Sequence, residues 1–450
     1  MKNKQNNILA TLARILGLWL PLKIRYDDTP GISVAVAHKG KTVYAKGFGY
    51  ADLEKKIRAT ADTKYRIASI SKMFTAVAIM QLQEKGRLKL SDPISKYLPW
   101  FEGKNEVGNL NKITIKQLLS HSSGIIRDGR SGCWENDKFP KSLERITGPD
   151  DVIFKSPARF KYSNHGYAIL GEVIKEVSGI PYGEYVKKFV TKPLSLKNTS
   201  PDLPSKSQKN LAKGYTRFVP GQKITAFKHV PTNAYASATG FVSTAGDVAK
   251  FLSFLVSKNS TKVLSYKSKK AMMRPWATNN KDTKYGFGME LDRVSKRWVV
   301  GHSGGFAGFI LEAVADSKNE LVAVVLTNRL GASAFDIAMS VLGFFYYLLD
   351  APHTAKKIKN SVRYEGVYRN RWSDSVVIGL PAFLFRFSAL SNRPYKNPGV
   401  LVPKSGNQFT VKEDGGFSSI GETAIFDKFK KGKAQRMSIS GAPLKRVIQR

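Results

Sequence analysis

The chain alternates between two hydrophobic periodicities and so predicts a mixed α and β protein. Residues 31–48, GISVAVAHKGKTVYAKGF, are two β-rich runs around His38-Lys39-Gly40-Lys41, the pattern of a hairpin. From Ser69 to about Gly86 the spacing predicts a helix, with Met73, Val77 and Met80 on one face. ITIKQLLSH (113–121) predicts a short helix capped near Thr114, and a longer one runs from about His165 to Val177, ended by Ser178-Gly179-Ile180-Pro181. Ser243-Thr244 caps a further helix, AGDVAKFLSFLV. Between 284 and 328 come three strand-like stretches: YGFGMEL, RWVVGH with FILEAVAD, and ELVAVVLTN. Their short Ser-Lys turns predict a consecutive antiparallel meander. The apolar segment Ile337–Leu349 follows Asp336 closely and reads as a buried core helix.

Both ends of the chain differ in texture from this middle. Leu12, Ile15, Leu16 and Trp19 fall at i, i+3, i+4 and i+7, which predicts an amphipathic first helix over residues 6–20. Arg14 interrupts its apolar run, no small-x-small cleavage site follows, and the run is too short to span a bilayer. A docked helix, rather than an export signal, is the expectation; the compartment stays open between the cytoplasm, which the lack of a clean signal peptide favours, and the cell envelope. Residues 351–360 read as a linker. Residues 361–450 are short β-rich pieces such as GVYRN, SVVIGL and FLFRFSAL between turns rich in Gly, Pro, Asn and Ser, as in a small β-barrel. The domains predicted are therefore 1–350, including the first helix, and 361–450.

Charge and cysteine content narrow the functional classes. A single cysteine, Cys133, excludes a disulfide framework and a cysteine-rich metal site. Lys and Arg number 73 against 34 Asp and Glu, a net +39, which favours anionic surfaces as partners. No Arg/aromatic repeat or nucleic-acid motif accompanies that charge, so no specific nucleic-acid binding is expected.

The chemistry begins at Ser69-Ile70-Ser71-Lys72. If Ser69 opens the helix, Lys72 lies one turn later on the same face, within reach of the hydroxyl. A serine hydroxyl is a weak nucleophile until a base takes its proton. A free lysine of pKa ~10.4 cannot serve, but burial and a neighbouring cation can lower it by about three units at a cost of roughly 4 kcal/mol. Tyr162-Ser163-Asn164 precedes the next long helix; a phenol there can relay a proton and an amide can hold a substrate carbonyl. Gly301-His302-Ser303-Gly304-Gly305 follows RWVV, a small-residue strand edge that admits a substrate backbone, with His302 as a donor beside the lysine.

In this order and spacing the three motifs resemble the serine β-lactamase and penicillin-binding-protein superfamily, in its class C β-lactamase-like branch. PGISVAV, YAKGFGYAD, YRIASISKMFTA, LLSHSSGI, YSNHGYAILGEVIKEVSG and STAGDVAKF carry the likeness over about residues 29–350. The tail resembles the lipocalin-like barrel appended to some members. The resemblance implies an antiparallel sheet flanked by helices, with a helical subdomain and the site between them. It implies Ser69 as nucleophile, Lys72 as its activating partner and Tyr162 as general acid/base. Asn164, His302, Ser303 and Gly304 would bind substrate, and the N–H groups of Ser69 and Gly305 would form the oxyanion hole. His121 fits a family phrase in a structural role. The chemistry expected is acyl-enzyme hydrolysis of an ester, a D-amino-acid peptide or a β-lactam, without metal or cofactor. Histidine where lysine is usual in the third motif puts β-lactam turnover in question.

Three other readings are compatible with parts of the sequence. A penicillin-binding sensor on the same fold would bind without efficient turnover. G-H-S-G-G also fits a nucleophile elbow at Ser303, with Asp336 and His353 following in triad order, but that motif needs a helix directly after the serine. A nucleic-acid binder would rest on charge alone.

Overall fold

The computed structural model describes residues 2–447 apart from Ser131, Asp137, Ala158, 205–208, 351–357, 416–418 and Ser440. It divides into two compact units, residues 30–335 and a second built from both chain ends, 1–29 with 336–450.

The first helix, α1 (Lys2–Tyr26), is longer than the 6–20 expected and runs through Pro21. By length and composition Gln5–Tyr26 is enough to cross a bilayer, which corrects the expectation that the run is too short; 56% of its most apolar window is buried. It also groups with the C-terminal unit rather than with residues 30–335, for reasons of packing. Leu12, Ile15, Leu16 and Trp19 are buried, and Trp19 meets Phe344 and Phe387 edge-on at 5.7 and 6.4 Å. Arg14 pairs with Glu365, and the Tyr26 hydroxyl donates to Asp374 at 2.7 Å.

The 30–335 unit is centred on one antiparallel sheet. Strands β1 (Gly31–His38) and β2 (Lys41–Asp52) form the expected hairpin; Lys39 and Gly40 both have positive φ, 51° and 75°, as a two-residue turn requires. The remaining strands are β3 (Ile57–Arg58), β4 (Ala277–Thr278), β5 (Lys284–Tyr285), β6 (Glu290–Val294), β7 (Arg297–Phe306), β8 (Phe309–Asp316) and β9 (Leu321–Thr327). Their order across the sheet is β3-β2-β1-β9-β8-β7-β6-β5-β4, so β6 to β9 are the meander read from the sequence. YGFGMEL is not one strand, however. Gly288 takes φ 68° and the Gly286 N–H donates to Met289 O at 2.7 Å, which folds the backbone between β5 and β6.

The helices are α2 (Ser71–Glu84), α3 (Ile115–Leu119), α4 (Asn164–Ser178), α5 (Ala245–Val256) and α6 (Tyr266–Met272). Of these, α3 and α5 begin at the expected caps, Thr114 forming a capping box with Gln117 and Thr244 accepting from Asp247 N, and Ser163 likewise caps α4, whereas α2 follows Ile70 without a side-chain cap. In the other unit, α7 (Ala334–Asp350) precedes a closed barrel of eight antiparallel strands between Gly366 and Val447, each paired with its sequence neighbours and the last with the first. Its interior is filled by Tyr368, Val377, Leu401, Phe409, Phe426 and Met437. Most of the expected linker, 351–357, and with it His353, lies outside the described residues.

Candidate active site

Ser69 does not open α2 but sits in a separate 3-10 turn, Ala68–Ile70, directly before it. Ala68 holds φ 50°, a left-handed value rare for alanine, at the residue that presents the serine. Lys72, fully buried one turn on, has its Nζ 3.1 Å from Ser69 Oγ. The same nitrogen donates to Asn164 Oδ1 at 2.7 Å and to Ala238 O at 2.8 Å. Those two partners only accept. A neutral lysine has two N–H bonds and one lone pair, so the third direction, toward Ser69, falls to the lone pair. Burial drives the Lys72 pKa well below that of a free lysine; Asp128 opposes the shift, Arg127 reinforces it and Glu290 opposes it.

Tyr162 closes the other side of the pair. Lys72 Nζ lies 4.8 Å from its ring centroid. Burial raises the phenol pKa and a hydrogen bond with Ser69 works against that rise, so the hydroxyl is protonated and in contact with Ser69. His121 holds this loop from beneath: its carbonyl accepts from Lys161 N at 2.8 Å and its Nδ1 from Ser163 N at 3.1 Å. Its ring packs 4.3 Å from Tyr162, and burial keeps it neutral. That is the structural role expected of it.

Asn164 is the first residue of α4 rather than part of a loop. Its amide is engaged at both ends, because Nδ2 donates to Asp128 Oδ1 at 2.6 Å while Oδ1 accepts from Lys72. It thus positions Lys72, while the second N–H of Nδ2 is left on the cavity side. Asp128 escaped the sequence reading; its only signal is Arg127-Asp128-Gly129 in an aperiodic loop.

The third motif lies on β7, and its members separate. Ala307-Gly308 joins β7 to β8, so Phe306 and Phe309 form a hydrogen-bonded pair and alternate residues back along β7 do the same. Ser303 and Gly305 therefore turn their N–H groups away from β8. On that side β6 reaches only Gly301, paired with Glu290. Ser303 N and Oγ both donate to the Glu290 carboxylate at 3.0 Å. Gly305 N–H is the next donor along this edge, beside Ser69 at the cleft.

His302 departs from expectation. It is buried, its Nδ1 donates to Ser303 O at 2.6 Å, and its Nε2 accepts from the Tyr285 hydroxyl at 2.8 Å. Burial lowers its pKa, so it brings no charge to the lysine and no free donor to a substrate. Gly304 is an approach point: a Cβ there would lie 2.8 Å from Ile67 O, in the segment leading to Ser69. Ser303 begins no elbow, since β7 continues through it, and Asp336 pairs instead with Arg393 at 2.8 Å.

Ser69, Asn164 and Gly305 open on a cavity of 430 Å³ walled by Trp134, Phe139, Phe227, Phe306 and Leu330, with Arg127 and Asp128 at its polar side. Among the described residues, no three His, Cys, Asp or Glu side chains gather as ligands for an ion.

An antiparallel sheet with helices beside it, and a Ser-x-x-Lys turn facing the sheet edge, define the β-lactamase and penicillin-binding-protein fold class. The chain belongs to the Beta-lactamase family, whose model matches residues 24–343. It is 39% identical over 189 residues to Protein flp of Staphylococcus aureus strain MW2, covering 41% of this chain but only 38% of that protein. It is 28% identical over 291 residues to the teichoic acid D-alanine hydrolase of Staphylococcus aureus, covering 64% of this chain and 68% of that one. The solved octameric penicillin-binding protein homologue from Pyrococcus abyssi superposes with a TM-score of 0.64 at 25% identity, over 94% of this chain and 97% of the other.

Proposed function

We propose that the protein is a serine hydrolase working through an acyl-enzyme, with a D-aminoacyl ester as its favoured donor among esters, D-amino-acid peptides and β-lactams. The observation that carries the reading is the set of three partners around Lys72 Nζ, namely Ser69 Oγ, Asn164 Oδ1 and Ala238 O; in the neutral lysine the last two take both N–H groups and leave the lone pair for Ser69. Lys72 takes the Ser69 proton as Oγ attacks the carbonyl carbon. The carbonyl oxygen gathers negative charge between the N–H groups of Ser69 and Gly305. Tyr162, protonated and bonded to Ser69, passes a proton to the departing alcohol or amine and is resupplied by Lys72. Water then attacks the acyl ester with the same groups reversed, releasing the acid. The D-aminoacyl preference draws on the name of the teichoic acid D-alanine hydrolase and on Asp128, the one carboxylate lining the cavity among the described residues, which suits an ammonium group.

Labelling with a fluorophosphonate, followed by peptide mapping, tests the nucleophile without assuming a substrate. An adduct on Ser69 that disappears in Lys72→Ala is expected, together with faster turnover of D-alanyl than of L-alanyl esters. An adduct on Ser303, or none, overturns the reading. A penicilloyl adduct on Ser69 that never turns over, with no ester hydrolysed, would instead establish a sensor.

A further inference from the structure

A second and larger cavity, 800 Å³, lies away from the serine, between α6 with the residues that follow it and the β5 to β7 end of the sheet. Lys258, Lys267, Lys270, Arg274, Lys284 and Lys318 line it, and no carboxylate does among the described residues. Six cations from four segments facing one groove repel one another, and among the described residues lining it none carries a neutralising charge. The field there favours an anion. Lys267, Lys270 and Arg274 recur at i, i+3 and i+7, a row along α6 and its continuation, which suits charge that repeats along a chain.

Two tryptophans line the same groove, and their surroundings bear on the kind of anion. Trp276 is fixed by Nε1 donating to Ala271 O and by its own N–H donating to Tyr285 O, both at 2.9 Å. Phe287 stacks on it at 5.0 Å and 6°, and Arg274 and Lys116 lie over its ring at 4.7 and 4.2 Å. Trp298 has Arg293 and Lys284 over its ring at 4.4 and 5.4 Å. The indoles thus hold the protein's own cations in place, which reduces the side-chain entropy lost on binding. Faces so occupied are poorly placed to stack nucleobases, the usual anchor of single-stranded nucleic acid.

From this we infer that the groove binds a polymer of phosphodiesters without bases, such as a polyol phosphate chain, at a site separate from Ser69. The probe is end-labelled, deacylated polyglycerol phosphate of about 20 repeats, titrated by fluorescence anisotropy against the full chain at several salt concentrations. K267A/K270A/R274A is compared with K41A/K188A/K192A, which removes equal charge from exposed positions elsewhere. The groove variant is expected to bind at least about tenfold more weakly and to lose about three from its salt slope, with the control within about twofold of wild type. Lys318→Glu, on the opposite wall, is expected to weaken binding in the same direction. Unfolding midpoints within about 2 °C of wild type show that the variants are folded. Equal weakening by both triple variants reduces the effect to diffuse charge and overturns the proposal. Stronger competition by a single-stranded oligonucleotide of matched charge, or by anionic vesicles, overturns it as well.

Discussion

Asn164 ties Lys72 to Asp128: its amide oxygen accepts from the lysine at 2.7 Å and its amide nitrogen donates to the carboxylate at 2.6 Å. The carboxylate only accepts, so it fixes which end of the amide faces the lysine, and with it the direction of the lysine lone pair.

That linkage gives the pH profile a sign. Neutral Lys72 is the working form, so kcat/KM rises with pH through a pKa that burial holds below the free-lysine value. Asp128 favours the ammonium form, and Asp128→Asn is expected to move the rising limb to lower pH. Arg127 disfavours it, and Arg127→Ala is expected to move the limb to higher pH. Profiles that superpose would remove Lys72 from the role of base.

Lys72→Ala is expected to lower kcat/KM by about 10²–10⁴-fold, the usual range for a general base. His302→Ala is expected to cost less activity and more stability. It takes from the buried Tyr285 hydroxyl one of two partners, the other being Tyr167, worth about 0.5–1.5 kcal/mol. Steady-state kinetics beside urea unfolding separates the two effects, and the reverse order of activity losses would mean the base has been misplaced.

Much of this site was legible because its signals are local. An i, i+3 spacing places Lys72 one turn from Ser69, and the helix expected from about His165 starts only one residue earlier, at Asn164. The alternation of β7 could be read too, but not that Tyr285, reached by the backbone fold between β5 and β6, would take up His302. Asp128 lies in a loop with no period, where sequence offers no direction for a side chain. The barrel declared itself through short β-rich runs and turn residues. The partners of α1 did not, because Trp19 meets Phe344 and Phe387 only through chain-end packing.

Two adjacent glycines on β7 should respond differently to alanine. At Gly304 the new methyl meets Ile67 O at 2.8 Å and Leu311 Cδ1 at 2.9 Å, which forces β7 away from the turn bearing Ser69. Gly304→Ala is expected to cost about 1–3 kcal/mol and much of kcat. At Gly305 the nearest atom is Ile310 Cδ1 at 3.8 Å, so Gly305→Ala should fold normally and raise KM from the cleft edge. Thermal unfolding with substrate titration checks the pair; matched losses of stability would contradict the packing.

In the barrel unit, Trp19→Ala is expected to cost about 3–5 kcal/mol, as for other buried aromatics. Hydrogen exchange should show barrel strands opening more readily, and exchange confined to α1 would count against the helix as part of that core.

Because this unit joins residues 1–29 to 336–450, the whole sheet-bearing segment is an insertion within it. On the ribosome α1 emerges before Phe344 and Phe387, which follow only after the intervening chain has been made. At about 5–20 residues per second that delay is on the order of tens of seconds. Through that interval Leu12, Ile15, Leu16 and Trp19 lack their final cover, while the inserted unit can complete its own core. The nascent protein therefore passes through a stage with a finished serine site and an apolar amphipathic helix still open to capture by a chaperone or a lipid surface.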